Sequence, residues 1–96
     1  MLNYPIEWLN NHVFLLEQKG IKITEQIRSS DNIDVPFFRV DLETSLRAAR
    51  LCLWLTGECD VEVLEVSTIS TIFWEHYEIA NYNDIDLAFC KILEKM

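Results

Sequence analysis

The hydrophobic positions in the first twenty residues recur with the period of a helix. Ile6, Leu9, Val13 and Leu16 follow one another at steps of three or four residues. This spacing places side chains on one face of an α-helix. The pattern predicts a single amphipathic helix over residues 5–19.

Beyond residue 20 the apolar and polar positions alternate instead. A period of two is typical of a strand with one buried face. It predicts strands over 21–27, 36–43, 48–55, 59–66 and 71–79. The segments between them are short and rich in turn-forming residues, which favours antiparallel pairing of consecutive strands.

Three details of the alternation refine this picture. Ile21, Ile23 and Ile27 have the parity that predicts an inward orientation for all three. The third segment, 48–55, is apolar on both faces, which predicts a strand that is central in the sheet or covered by another element. In the fourth segment Leu64 breaks the alternation, which predicts a bulge or strong bend near positions 63–64.

A helical pattern returns at residues 84–94. Asn83 is a suitable N-cap, and Asp84 and Asp86 favour the positive end of the helix dipole. The order is therefore α-β-β-β-β-β-α. It predicts an α+β fold in which an antiparallel sheet of four to five strands carries an N-terminal and a C-terminal helix on one face. Residues 1–96 are predicted to form one domain.

Composition indicates a folded cytoplasmic protein. Half of the residues are hydrophobic and a quarter are charged, as in ordinary globular proteins. No apolar run is long enough to span a bilayer, and the first residues do not follow the pattern of a signal peptide. Cys52, Cys59 and Cys90 form no repeated C-x-x-C spacing, which predicts reduced thiols.

The net charge of −8 is concentrated in one stretch of the chain. Residues 51–90 contain eight carboxylates and no lysine or arginine, whereas residues 1–50 carry −1 and residues 91–96 carry +1. Such a field disfavours nucleic acid and anionic membranes and attracts basic partners. A solubilising surface is one interpretation. Trp54 and Trp74 among the acids favour a second, a surface that binds protein.

Candidate catalytic chemistry is sparse. The two histidines are His12, beside the apolar stripe of the first helix, and His76 in the segment Trp-Glu-His-Tyr-Glu. On a strand Glu75 and His76 point to opposite faces, and a third metal ligand is lacking. No nucleophile motif or glycine-rich phosphate loop occurs. The sequence therefore predicts no enzyme, catalytic residue, metal or cofactor, with a small metal-dependent hydrolase using His76 as the alternative.

The segment from Arg50 to Leu64 has the form R-x-x-x-W-x-x-G-E-x-D-x-E-V. In this it resembles the TriTu family of bacterial immunity proteins, and residues 74–78 with the closing helix resemble the C-terminal part of that family. The resemblance covers residues 48–96. It implies a cognate inhibitor in a polymorphic or contact-dependent toxin system, and it carries over no catalytic residue. Toxins of such systems are often nucleases, whose basic sites an acidic inhibitor would occupy.

A row of acids in this segment is the candidate binding site. Alternation puts its three members on one side of a strand, about 6–7 Å apart, which matches basic side chains on a partner. The predicted toxin-binding residues are Glu58, Asp60, Glu62, Glu75, Glu78 and Trp54. An acidic adaptor or subunit with a different basic partner is the alternative. A homodimer through a sheet edge also stays open.

Overall fold

The computed structural model describes residues 1–96 and contains one five-stranded antiparallel sheet. Its strands follow sequence order from β1 to β5, so each strand pairs with its neighbours in the chain. The elements are α1 (Tyr4–Asn11), α2 (Val13–Gln18), β1 (Lys22–Arg28), β2 (Phe37–Glu43), β3 (Arg47–Trp54), β4 (Glu58–Glu65), β5 (Ser70–Glu78) and α3 (Tyr82–Lys95). The predicted α+β fold, with helices at both ends of the sequence, is confirmed. No helix has the length and apolar character needed to cross a membrane.

The core lies between the sheet and the helices. Every second residue of β2, β3 and β4 is buried there, as the alternation predicted. These residues are Phe38, Val40, Leu42, Ala49, Leu51, Leu53, Cys59, Val61 and Val63. On the helical side, Trp8 of α1 stacks on Phe89 of α3 with ring centroids 4.1 Å apart. The first and last helices therefore pack on each other as well as on the sheet.

The predicted first helix is interrupted at His12. Its backbone N–H bonds to the carbonyl of Leu9 at 3.2 Å, while its ring Nδ1 lies 2.6 Å from the carbonyl oxygen of Trp8. The side chain thus takes the carbonyl that the backbone N–H of residue 12 would bind in a continuous helix. The prediction of one helix over 5–19 is wrong here because a local side-chain contact replaces a helical hydrogen bond.

The first strand departs from the predicted inward pattern. Ile21 is buried, but Ile23 is 39% exposed because β1 is an edge strand. Ile23 pairs with Leu42, and the following pair begins at Glu25, so β1 contains one extra residue. This bulge moves Ile27 to the side of the sheet opposite the helices. The predicted inward orientation of Ile27 is therefore wrong.

The predicted irregularity near residues 63–64 is confirmed. Val63 pairs with Phe73 and Leu64 pairs with Thr71, so the extra residue of this bulge is Ile72 in β5. The third strand is central in the sheet, as its two apolar faces indicated.

The cap of the last helix lies earlier than predicted. Asn81, and not Asn83, is the N-cap, and its side chain accepts a hydrogen bond from the backbone N–H of Asp84. The Asp84 carboxylate in turn accepts from the N–H of Asn81, which completes a capping box. The helix consequently begins at Tyr82, whose ring stacks on that of Tyr4 at 4.3 Å.

Candidate functional site

One side of the sheet is left without a helix, because all three helices lie on the other side. We call this uncovered side the open face. The strand register shows which side chains point to it. Three of them alternate along their strands with buried core residues, namely Arg39, Arg50 and Asp60. His76 points the same way because it pairs with Asp60. The open face therefore offers the side chains of all five strands to a partner.

The row of acids on β4 lies on the open face. Glu58, Asp60 and Glu62 alternate with buried residues along the strand, and neighbouring members are about 6–7 Å apart. On β5, Glu78 pairs with Glu58 and His76 pairs with Asp60. Two acids thus stand directly opposite each other, an arrangement that destabilises the free sheet through like-charge repulsion.

Most carboxylates of this region have no cationic partner. Asp60 forms a hydrogen-bonded pair with His76, whose Nδ1 is 2.5 Å from its Oδ1. That hydrogen bond, together with the negative charges of the strand, raises the pKa of His76. Glu58, Glu62 and Glu78 form no salt bridge. These three uncompensated charges make the β4–β5 half of the open face acidic.

The arginines of the open face are occupied elsewhere. Arg50 pairs with Glu62 in the strand register, but its guanidinium donates to both carboxylate oxygens of Asp41, at 2.8 and 3.0 Å. Arg39 lies 3.1 Å from the carboxylate of Glu25. Arg39 and Arg50 thus neutralise acids of β1 and β2, and Glu58 and Glu62 of β4 are left without a cation. Arg47 of β3 pairs with Glu65 at the far end of β4.

Two tryptophans flank this acidic region. Trp54 of β3 is half-buried and Trp74 of β5 is 57% exposed. Together they line a shallow groove of about 170 Å³ that also contains Arg50, Cys52, Asp60 and Glu62. Trp74 and His76 were not among the predicted site residues, although both share the strand parity of Glu78 and could have been placed on this side by that signal.

Glu75 is separated from the other predicted site residues. It pairs with Val61, whose side chain is fully buried on the helix side of the sheet. Glu75 therefore points away from the open face and is exposed at the sheet edge. The structure brings together five of the six predicted residues, namely Glu58, Asp60, Glu62, Glu78 and Trp54.

The open face combines acidic side chains of β4 and β5 with the tryptophans of β3 and β5. No group of three histidine, cysteine, aspartate or glutamate side chains is arranged to hold a metal ion. The thiols of Cys52 and Cys59 have raised pKa values because both are withdrawn from solvent. What remains on the face is negative charge beside exposed aromatic rings, a combination suited to ionic and stacking contacts with another protein.

Comparison with known proteins supplies the biological context. No individually curated protein was found to match the chain. A family model described as "Immunity protein TriTu" matches residues 3–95, nearly the whole chain. The match extends well beyond the segment on which the sequence resemblance rests. The chain therefore belongs to the TriTu family of immunity proteins, whose partner is a cognate toxin.

Proposed function

We propose that this protein neutralises its toxin by binding a basic surface of the toxin domain with the β4–β5 half of the open face. One observation carries the proposal: Glu58, Glu62 and Glu78 have no cationic partner and lie beside two tryptophans on the uncovered side of the sheet. Five strands and the three helices that cover the other side hold these side chains in place, so little ordering is needed on binding.

Charge complementarity with a basic partner gives a reason for placing Glu58 opposite Glu78. Glu58 and Glu78 face each other across neighbouring strands and repel each other. A basic partner that approaches both replaces the repulsion with attraction, and the one-signed field also accelerates encounter. The like charges thus destabilise the free protein slightly and stabilise the complex.

Inhibition would follow directly if the bound surface is the active site of the toxin. A nuclease, the toxin class that the family resemblance suggests, holds phosphate groups with basic side chains. An acidic sheet seated on those side chains competes with the substrate for them. The toxin would remain folded but unable to bind nucleic acid.

Growth rescue and affinity test the proposal together. The cognate toxin domain is induced in a cell with or without this protein, and binding of the purified pair is measured by calorimetry. We expect the triple variant Glu58→Gln, Asp60→Asn, Glu62→Gln to bind at least about a hundredfold more weakly, with a reduced salt dependence.

The first control matches the charge change of the triple test variant. The triple variant Glu7→Gln, Glu17→Gln, Glu94→Gln alters three exposed acids of the helices, of which only Glu94 has a salt bridge, a 3.7 Å contact with Lys91. Its affinity should stay within about threefold of wild type, because distant exposed charges are screened. Equal losses in both triple variants would show that only net charge matters and would remove the acid row from the interface.

A second control compares two acids of β5 that lie on opposite sides of the sheet. Glu78→Gln removes a charge from the open face, and Glu75→Gln removes one from the opposite side of the same strand. We expect a loss of affinity for Glu78→Gln alone. The reverse result would place the toxin on the helix side of the sheet edge.

A further inference from the structure

The groove between Trp54 and Trp74 crosses β4 diagonally. Trp74 pairs with Glu62 in the β4–β5 register, and Trp54 lies one residue beyond the pair of Leu53 with Cys59, level with Glu58. Asp60 lies between the two levels. The groove of about 170 Å³ therefore has an aromatic ring at each end and two carboxylates between them. Arg50 also lines it, with its guanidinium bound to Asp41.

Trp74 is unusually exposed for so large an apolar side chain. With 57% of its surface accessible, it is more than half exposed to solvent, on an edge strand and opposite Glu62 in the ladder. The face of an indole carries negative electrostatic potential and attracts cations. Exposure of this ring next to an acid favours a positively charged occupant over an apolar one.

Glu62 has room for a cation that the protein itself does not supply. Its Oε2 accepts a hydrogen bond from the hydroxyl of Thr71 at 3.0 Å, while its Oε1 has no partner. Arg50, opposite Glu62 in the ladder, is held by Asp41. Because Asp60 is already paired with His76, Glu62 is the uncompensated charge of the groove.

Accepting the proposed function, we infer that this groove binds one arginine side chain of the toxin. Its guanidinium would stack on the indole of Trp74 and donate to the carboxylate of Glu62. Arginine fits better than lysine, because a planar guanidinium can stack on an aromatic face and bind a carboxylate through two donors at once. Trp54, at the other end, would contact the aliphatic part of the same side chain.

Double-mutant cycles with the toxin domain test the inference. Each surface arginine of the toxin is replaced by lysine, and binding to wild type, Trp74→Leu and Glu62→Gln is measured. We expect one toxin arginine whose replacement weakens binding to wild type at least about thirtyfold. The same replacement should weaken binding to Trp74→Leu by less than about threefold, because the stacking partner is already gone.

Phe14→Leu is the matched control, since it removes an aromatic ring that is 72% exposed on α2, away from the open face. That variant should retain the full effect of the toxin arginine. If no toxin arginine couples to Trp74 or Glu62 while the acid-row triple variant still binds weakly, the arginine groove is wrong and the proposed interface stands. If the triple variant binds like wild type, the interface itself is wrong.

Discussion

Arg50 stands opposite Glu62 in the β3–β4 ladder, yet its guanidinium binds both carboxylate oxygens of Asp41. This choice of partner keeps a positive charge away from the acid row. The Asp41 carboxylate is also 3.7 Å from Arg39, so one acid of β2 holds two arginines. The acidity of β4 therefore depends on a residue two strands away.

Asp41→Asn should weaken toxin binding although Asp41 lies outside the proposed contact. The change frees Arg50 to turn toward Glu62, which neutralises part of the acid row. We expect affinity to fall about five- to tenfold, the effect of one partly screened ion pair. Glu17→Gln removes the same charge from an exposed position on α2 and should leave affinity unchanged; equal losses would contradict this account.

The turn between β3 and β4 requires glycine at position 57. Gly57 has φ +96°, and a Cβ there would lie 2.9 Å from the carbonyl oxygen of Ile79. Ile79 is tied to this turn, because its N–H donates to the Gly57 carbonyl at 2.7 Å. Gly57→Ala should lower the free energy of unfolding by about 1–3 kcal/mol in a urea titration.

Gly20→Ala separates steric contact from backbone strain. Gly20 also has a positive φ, +70°, but a Cβ there would meet no atom within 4 Å. Its loss should be smaller, about 1 kcal/mol, because only the left-handed conformation opposes the substitution. A larger loss at Gly20 than at Gly57 would show that the contact with Ile79 is relieved by a small shift.

His76 should make stability depend on pH. Its hydrogen bond to Asp60 raises the pKa of His76 above the ordinary 6.5. Since the folded state binds the proton more tightly, the pair stabilises the protein fully below that value, and the contribution is lost as pH rises through the folded pKa. His76→Gln should therefore destabilise the protein in acid and have little effect in alkaline buffer.

The position of the His76 titration gives an independent check of the same contact. In a proton NMR titration, Asp60→Asn should lower the pKa of His76, because the charged hydrogen-bond acceptor is gone. An unchanged His76 pKa in this variant would mean that the contact with Asp60 does not form in solution.

The turn between β4 and β5 contains a strained residue. Ile69 has φ +51° and is 81% exposed, so a β-branched side chain adopts the left-handed conformation without burial to stabilise it. Ile69→Asn should raise the free energy of unfolding by up to about 1 kcal/mol, because asparagine tolerates this conformation. Ile33→Asn, at an exposed loop position without positive φ, should give no such gain.

Alternation along the chain was enough to predict the sheet and most of the acidic face. Because side chains of a strand alternate strictly, the parity of Glu58, Asp60 and Glu62 is enough to place them on one side of the sheet. By the same rule, Glu75 and His76 lie on opposite sides of the sheet. The prediction of Glu75 as a site residue rests on its charge alone, and its register with Val61 places it on the side of the sheet opposite the other five.

Other features depend on contacts that a periodic pattern does not contain. The extra residue in β1 reverses the orientation of Ile27, and alternation has no signal for an inserted residue. The helix break at His12 depends on a single ring nitrogen meeting the Trp8 carbonyl. The pairing of Arg50 with Asp41 is a choice between two acids of similar distance in the ladder, which only three-dimensional packing decides.

The strict sequence order of the five strands has a consequence for how the protein folds. Every ladder joins consecutive strands, so each hairpin can form independently of the strands that follow it. Because the connecting loops are short, little chain entropy is lost when each hairpin closes. The helices are the exception: α1 and α3 meet from opposite ends of the chain through Trp8 and Phe89. We therefore expect rapid hairpin-by-hairpin formation of the sheet, followed by closure of the two ends over it as the late step.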